Sequence, residues 1–279
     1  MDAASRIERE GWRLELYAGD DRDWRAALVE AARAAIHGEI LKAVRRSRHA
    51  TTYRIRLLGH GGAAGRRIVF IKLFDAAPAR ALPKRLLGGS RARRAVAGSL
   101  AVRSAGFAVA DVLMMGEQGW RGRALLMTER IDGDVLPRFL EAADLKTRRE
   151  TLRALGREVG RLHRAGLIHG DLTPFNIFVR RGEPVGLVFI DHERTRRAPR
   201  LNGRRSELRN LVQLGHFPFA RVSRSDQMRV FRAWAAARGL GDGRAVRKRT
   251  WRMLNRRMAR DLARFGAAAV RKSSFTGSA

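Results

Sequence analysis

The chain has 279 residues, 45% of them hydrophobic and none of them cysteine, which supplies a core and excludes disulfides and thiolate metal sites. Its 58 Lys and Arg against 27 Asp and Glu leave a net charge of +31, a field that favours polyanions: nucleic acid, anionic lipid or a phosphorylated substrate. Codon usage accounts for there being only six lysines among those basic residues, but not for the shortage of acids.

The first residues, MDAASRIEREGWRLELYAGDD, are charged throughout and hold no apolar stretch of the signal-peptide kind. No run of about 18 apolar residues exists to span a bilayer. WRLELYAG (12–19) predicts a strand, and the segment 20–36 a helix capped by Asp20 or Asp21. TTYRIRLL (51–58) and RRIVFIKLF (66–74), joined by the glycine-rich 59–65, predict an antiparallel pair. A basic helix over 90–106 closes at Gly106, and two strands follow at 107–116 and 123–131. From Asp144 the pattern turns helical. Leu152, Leu155, Val159 and Leu162 mark a helix over 145–166, and further helices are expected at 206–217, 225–239 and 243–265. The tail 267–279 is expected to be disordered. A β-rich first half and an α-rich second half make an α+β fold.

Between the first of those helices and the rest lies LIHGDLTPFNIFV (167–179), where polar residues interrupt an apolar run. Burying such side chains without partners costs several kcal/mol, on the order of 2–7 each, so a function is sought for them. Phosphoryl transfer from ATP needs a carboxylate at the acceptor hydroxyl, an amide and a second carboxylate for the metal, and a lysine for the phosphates. Asp171 and Asn176 stand five apart, the spacing of a kinase catalytic loop, and Asp191 ends the next apolar run, GLVFID. Lys72 is the lone lysine inside the apolar strand VFIKLF.

These residues resemble the catalytic and metal-binding loops of the protein kinase-like fold, in the branch that reads H-G-D where protein kinases read H-R-D. The continuation DHERTRR looks most like the lipopolysaccharide core kinases, which phosphorylate heptose or 3-deoxy-octulosonic acid. The resemblance covers about residues 45–220. It implies a bilobal fold with a small β-rich N-lobe (1–131) and a larger helical C-lobe (132–266). It also implies Asp171 as catalytic base, Asn176 and Asp191 as Mg²⁺ ligands, and Lys72 on the ATP phosphates. MTERIDG (127–133) looks like the hinge, where the backbone of Glu129 and Ile131 would meet adenine. His169 is read as packing the loop, and His163 and His192 as ordinary surface or core residues.

The chain departs from the family pattern in three places. No acidic residue lies between Asp75 and Asp111, so the helix glutamate that normally holds the strand lysine is missing. The expected phosphate loop, VRRSRHATTY (44–53), has no glycine, which brings forward Ser47 and nearby arginines as phosphate contacts. Asn210 stands where many relatives carry a structural aspartate.

The resemblance thus implies an ATP-dependent kinase of a lipopolysaccharide inner-core sugar hydroxyl. It would be cytoplasmic and peripheral on the inner membrane, with the positive charge serving an anionic acceptor and an anionic leaflet. One alternative is a kinase of a soluble hydroxyl acceptor of the aminoglycoside type, which the charge opposes. The other is a pseudokinase binding an anionic partner. Nucleic acid has only the charge in its favour, with no stacking-aromatic motif. Trp251, Leu254, Met258, Leu262 and Phe265 form an apolar stripe among eight arginines and Lys248 from 244 to 264, read first as a C-lobe helix with a solvated basic face and alternatively as a face that lies against anionic lipid.

Overall fold

A computed structural model describes residues 5–17, 22–40, 42–47, 49–58, 65–76, 89–119, 122–182, 186–199, 201, 203–215, 222–240, 244–246, 248–253, 256, 259–260 and 263. The expected caps Asp20 and Asp21, the glycine-rich 59–64 and the tail 267–279 lie outside them. The chain divides into two compact units, Met1–Leu100 with Ala110–Ile131, and Ala101–Val109 with Asp132–Ala279.

The first unit is built on a seven-stranded sheet. Its strands are β1 (Ser5–Arg9), β2 (Trp12–Leu16), β3 (Ala43–Ser47), β4 (Ala50–Leu58), β5 (Arg66–Phe74), β6 (Val112–Gln118) and β7 (Ala124–Glu129), in the order β1-β2-β6-β7-β5-β4-β3. β4 and β5 pair antiparallel over their full lengths, from Ala50↔Phe74 to Leu58↔Arg66. β1 is not visible in the hydropathy pattern, because SRIER holds one apolar residue, Ile7, for an edge position. Its signal lies in the turn instead. Glu10 and Gly11 both have positive φ (51° and 76°), the two-residue geometry that matches hairpin twist, and it sets Ile7 opposite Leu14.

Helix α1 (Arg22–His37) covers one sheet face, burying Trp24, Leu28, Ala32 and Ala35 against Tyr53, Leu57, Val69 and Ile71. Helix α2 (Arg91–Ser104) packs Ala92 and Val96 on the other face, against Ala50, Phe74, Met115 and Ala124. Along β5 the alternation is strict: Val69, Ile71 and Leu73 are buried, while Ile68, Phe70 and Lys72 are half-buried. Lys72 therefore shares the face of Phe74, the α2 face. The strand expected at 107–116 begins only at Val112. Phe107 and Val109 instead enter the core of the second unit, where Val109 bridges Phe189.

The second unit is mostly helical, with α3 (Leu136–Ala142), α4 (Leu145–Arg164), α5 (Gly203–Leu214) and α6 (Arg224–Arg238). Asp144 caps α4 by accepting the N–H groups of Lys146 and Thr147 at 2.8 and 2.9 Å. Leu152, Leu155, Val159 and Leu162 enter the core as their spacing predicts. Gly156 and Gly160 let α6 approach closely, since a Cβ at Gly156 would lie 2.3 Å from Val230 O and one at Gly160 2.7 Å from Trp234 O. Beyond α6, Val246, Thr250 and Met253 turn inward, while Arg249, Arg252, Arg256 and Arg260 are exposed. Of the predicted apolar stripe, Trp251 is described, and Leu254, Met258, Leu262 and Phe265 lie outside the described residues. No helix among the described residues is long and apolar enough to cross a membrane.

Candidate active site

In the second unit short strands hold the loops. A three-stranded sheet has the order β11-β10-β8, from β8 (Gly133–Val135), β10 (Ile177–Arg180) and β11 (Gly186–Phe189). A two-stranded one joins β9 (Leu167–Ile168) to β12 (Arg196–Arg197). The loop carrying Asp171 leaves β9 and returns through a 3-10 turn, Pro174–Asn176, into β10. Asp191 follows β11. Because β10 and β11 pair, with Ile177 opposite Phe189, the two loops emerge side by side. The N–H of Ile190 also donates to Asn176 O at 3.0 Å.

Within the loop Asn176 folds back on Asp171. Its side-chain amide donates to Asp171 O at 2.8 Å, and the N–H of Thr173 donates to the same carbonyl at 2.8 Å. Since only the NH₂ group can donate to a carbonyl, the Asn176 amide has one permitted orientation, which leaves Oδ1 as its acceptor atom. Asp191 sits in the left-handed region at φ 62°, ψ 56°, a conformation Asp tolerates better than bulky residues. Gly170 has φ 77°, and a Cβ there would lie 2.4 Å from Arg194 O, so the residue before Asp171 must be glycine.

Three buried histidines surround the loops, and burial holds all of them neutral. The pKa of His163 and of His169 is pushed down to about 4, and that of His192 to about 3. His169 donates Nε2–H to Ile190 O at 2.9 Å, and its Nδ1 has no hydrogen-bond partner among the described residues. His192 donates Nε2–H to Phe189 O at 2.9 Å. The two rings lie 5.0 Å apart at a tilt of 53°. His169 and His192 thus hold the backbone that leads into Asp191, while His163 bonds Asn210 and Trp234.

The donor set fits a hard cation. No group of three or more His, Cys, Asp or Glu side chains among the described residues converges on a metal position. An amide oxygen on Asn176 and a carboxylate on Asp191 suit an ion that takes its other ligands from phosphate and water, as Mg²⁺ does.

In the first unit the register aligns Arg45 (β3), Thr52 (β4), Lys72 (β5) and Leu126 (β7) in one row on one face. The Lys72 ammonium lies 5.2 Å from the Phe74 ring centroid, and the Arg91 guanidinium 4.8 Å from the same ring. Ser47 belongs to the turn that closes β3 onto β4. Its hydroxyl donates to Ala50 O at 2.9 Å and accepts the N–H of Ala50 at 3.1 Å. That proton is spent inside the hairpin, and the exposed cation in the row with Lys72 is Arg45.

At the end of β7 the N–H of Glu129 donates to Asp111 O and that of Arg130 to Ile68 O, each at 2.9 Å, which fixes the segment that ends at Ile131. α2 holds no acidic residue and carries Arg93. It bonds Glu117 at 2.5 Å and the buried Glu15 at 3.4 Å, and Glu15 also accepts the Tyr17 hydroxyl at 2.9 Å. Burial, and then Glu15, push the Tyr17 hydroxyl up to about 12.

A solved structure described as WaaP in complex with acyl carrier protein matches 88% of this chain and 98% of its own, at 22% identity and a TM-score of 0.60, which shows a shared kinase-like fold. The KEOPS complex subunit Bud32 of Pyrococcus abyssi is 39% identical over 67 residues, or 24% of this chain and 29% of its own length. The EKC/KEOPS complex subunit BUD32 of Yarrowia lipolytica is 40% identical over 52 residues, or 19% and 21%. The chain thus spans less than a third of the length of these curated relatives. The profile described as the lipopolysaccharide kinase (Kdo/WaaP) family matches residues 79–234, more than half of the sequence. The chain belongs to that family.

Proposed function

We propose that the protein transfers the γ-phosphoryl group of ATP to a sugar hydroxyl of the lipopolysaccharide inner core, at the cytoplasmic face of the inner membrane. The observation that carries the reading is the closed loop in which Asn176 is pinned to the backbone of Asp171 beside the left-handed Asp191. In this reading the Asp171 carboxylate orients the acceptor hydroxyl and takes its proton as the oxygen bonds to phosphorus and ADP leaves. Asn176 Oδ1 and the Asp191 carboxylate hold Mg²⁺, which when bound offsets the charge of the phosphates. Lys72 pairs with those phosphates, and Arg45 takes the place of the absent glycine loop in that role. The backbone of Glu129 and Ile131 meets the adenine.

Charge and family together support the acceptor class. A net +31 suits an acceptor that already bears carboxylates and phosphates, and a leaflet of anionic lipid. Purified protein, ATP and lipopolysaccharide from a strain lacking this enzyme test the reading. Mass spectrometry should find one added HPO₃ on the inner-core fragment. Transfer to a soluble aminoglycoside in preference to lipopolysaccharide would overturn the acceptor assignment.

A further inference from the structure

Beneath the loop of Asp171 runs a chain of buried hydrogen bonds whose direction can be assigned from one end to the other. Trp234 on α6 is wholly buried, and its indole N–H, which can only donate, reaches His163 Nδ1 at 2.9 Å. Nδ1 is therefore bare and Nε2 carries the proton, which it donates to Asn210 Oδ1 at 3.3 Å. The same oxygen accepts the backbone N–H of His169 at 3.1 Å. The Asn210 amide must then present NH₂ to Gln213, and it donates to Oε1 at 2.9 Å.

Gln213 completes the chain. Its Oε1 also accepts the N–H of Leu172 at 3.2 Å, and its Nε2 donates to Gly170 O at 3.1 Å. One side chain thus holds the peptide groups on both sides of Asp171. Asn210 and Gln213 stand three apart on α5, so they share a helix face. α6 brings Trp234 to His163 through the close approach at Gly156 and Gly160.

We propose that Gln213 is a positioning residue for phosphoryl transfer, clamping Gly170 and Leu172 so that the Asp171 carboxylate is held at the acceptor hydroxyl. The proposal rests on the reading of Asp171 as the base. It also gives the neutral Asn210 a purpose. An aspartate there would accept the bonds of His163 and His169 but would have no N–H to orient Gln213.

The test compares Gln213→Leu, which loses all three bonds, with Gln213→Glu, using purified protein, ATP and lipopolysaccharide from a strain lacking the enzyme. Gln213→Leu should lower kcat about 30- to 100-fold, the order expected when a catalytic group is misplaced by about an ångström. KM for ATP should stay within about twofold, since Gln213 touches the loop from the side of α5; the melting temperature should fall, because Asn210, Gly170 and Leu172 lose their partner, so kcat is read at a temperature where the variant is folded.

Ionised Gln213→Glu keeps both accepted bonds but cannot donate to Gly170 O; its protonated form restores that donor. Its kcat relative to wild type should therefore rise as pH falls through the carboxyl's titration, a response that simple packing would not give. A Gln213→Leu enzyme with wild-type kcat overturns the clamp, as does a Gln213→Glu ratio that is flat with pH. Should Gln213→Leu fail to fold, the Gln213→Glu ratio decides alone. Asp171→Asn, assayed in parallel, separates the two levels of the argument. If it transfers phosphate at the wild-type rate, the assignment of the base falls first and the clamp with it.

Discussion

The two units are cross-linked by opposite means. In the first, ion pairs join α2 to the sheet beside its apolar contacts: Arg93 bridges Glu15 and Glu117, with the Tyr17 hydroxyl completing Glu15. In the second, the loop of Asp171 is held by neutral groups in the core, from Trp234 through His163 and Asn210 to Gln213. A part-exposed ion pair tolerates small displacements and is weakened by salt. A buried chain of directional bonds tolerates neither displacement nor a missing member.

The comparison can be broken most severely at the metal loop. Asp191→Ala should raise the Kd for ATP by 100-fold or more, about 2.7 kcal/mol, when Mg²⁺ is present and change it little in EDTA. Calorimetric titrations with and without Mg²⁺ read this directly, and equal affinities for mutant and wild type would remove Asp191 from the metal. A structural break comes next. Gly160→Ala drives a methyl to 2.7 Å from the Trp234 carbonyl, so it should cost about 2–3 kcal/mol by chemical denaturation and loosen the His163–Trp234 contact.

The third variable is pH. His163 is held neutral mainly by burial, with Glu207 opposing that shift and Arg238 reinforcing it, so its pKa lies near 4 when folded against about 6.5 when unfolded. In that window the unfolded state binds the extra proton. The His163 share of stability is thus complete above about pH 6.5 and is lost as pH falls toward 4, at up to about 1.4 kcal/mol per pH unit. His163→Gln should flatten the curve by that slope, and identical curves would mean that the ring is not held neutral. The smallest effect is expected in the charged latch. Arg93→Met should cost about 1 kcal/mol after solvent screening, and the loss should shrink in high salt. A salt-independent loss of several kcal/mol would show the latch to be a core element.

Regular elements with a strong period were legible in the sequence. β5 occupies the nine residues predicted, and α4 ends within two residues of its expected limit, because apolar alternation and a 3.6-residue stripe are local signals. β1 was hidden by its edge position, which asks for little apolar surface, although Glu10-Gly11 carried a turn signal. The polar residues at 169–176 and Asp191 were visible because they interrupt apolar runs. Gln213 and Trp234 were not, since a glutamine or tryptophan on an amphipathic helix looks ordinary until three helices converge. The role of Ser47 failed to appear for a similar reason, because the sequence shows a hydroxyl but not the carbonyl of Ala50 that takes its proton.

The central claim is that Asp171 handles the acceptor hydroxyl while nucleotide binding rests on other residues. Transfer of labelled γ-phosphate from ATP to lipopolysaccharide by Asp171→Asn, measured beside its ATP affinity, tests it most directly. The account predicts a loss of transfer of at least about 100-fold, the lower bound expected for removing a positioned base, with ATP Kd within about threefold of wild type. Transfer at the wild-type rate, or a loss of ATP binding that matches the loss of transfer, would contradict it.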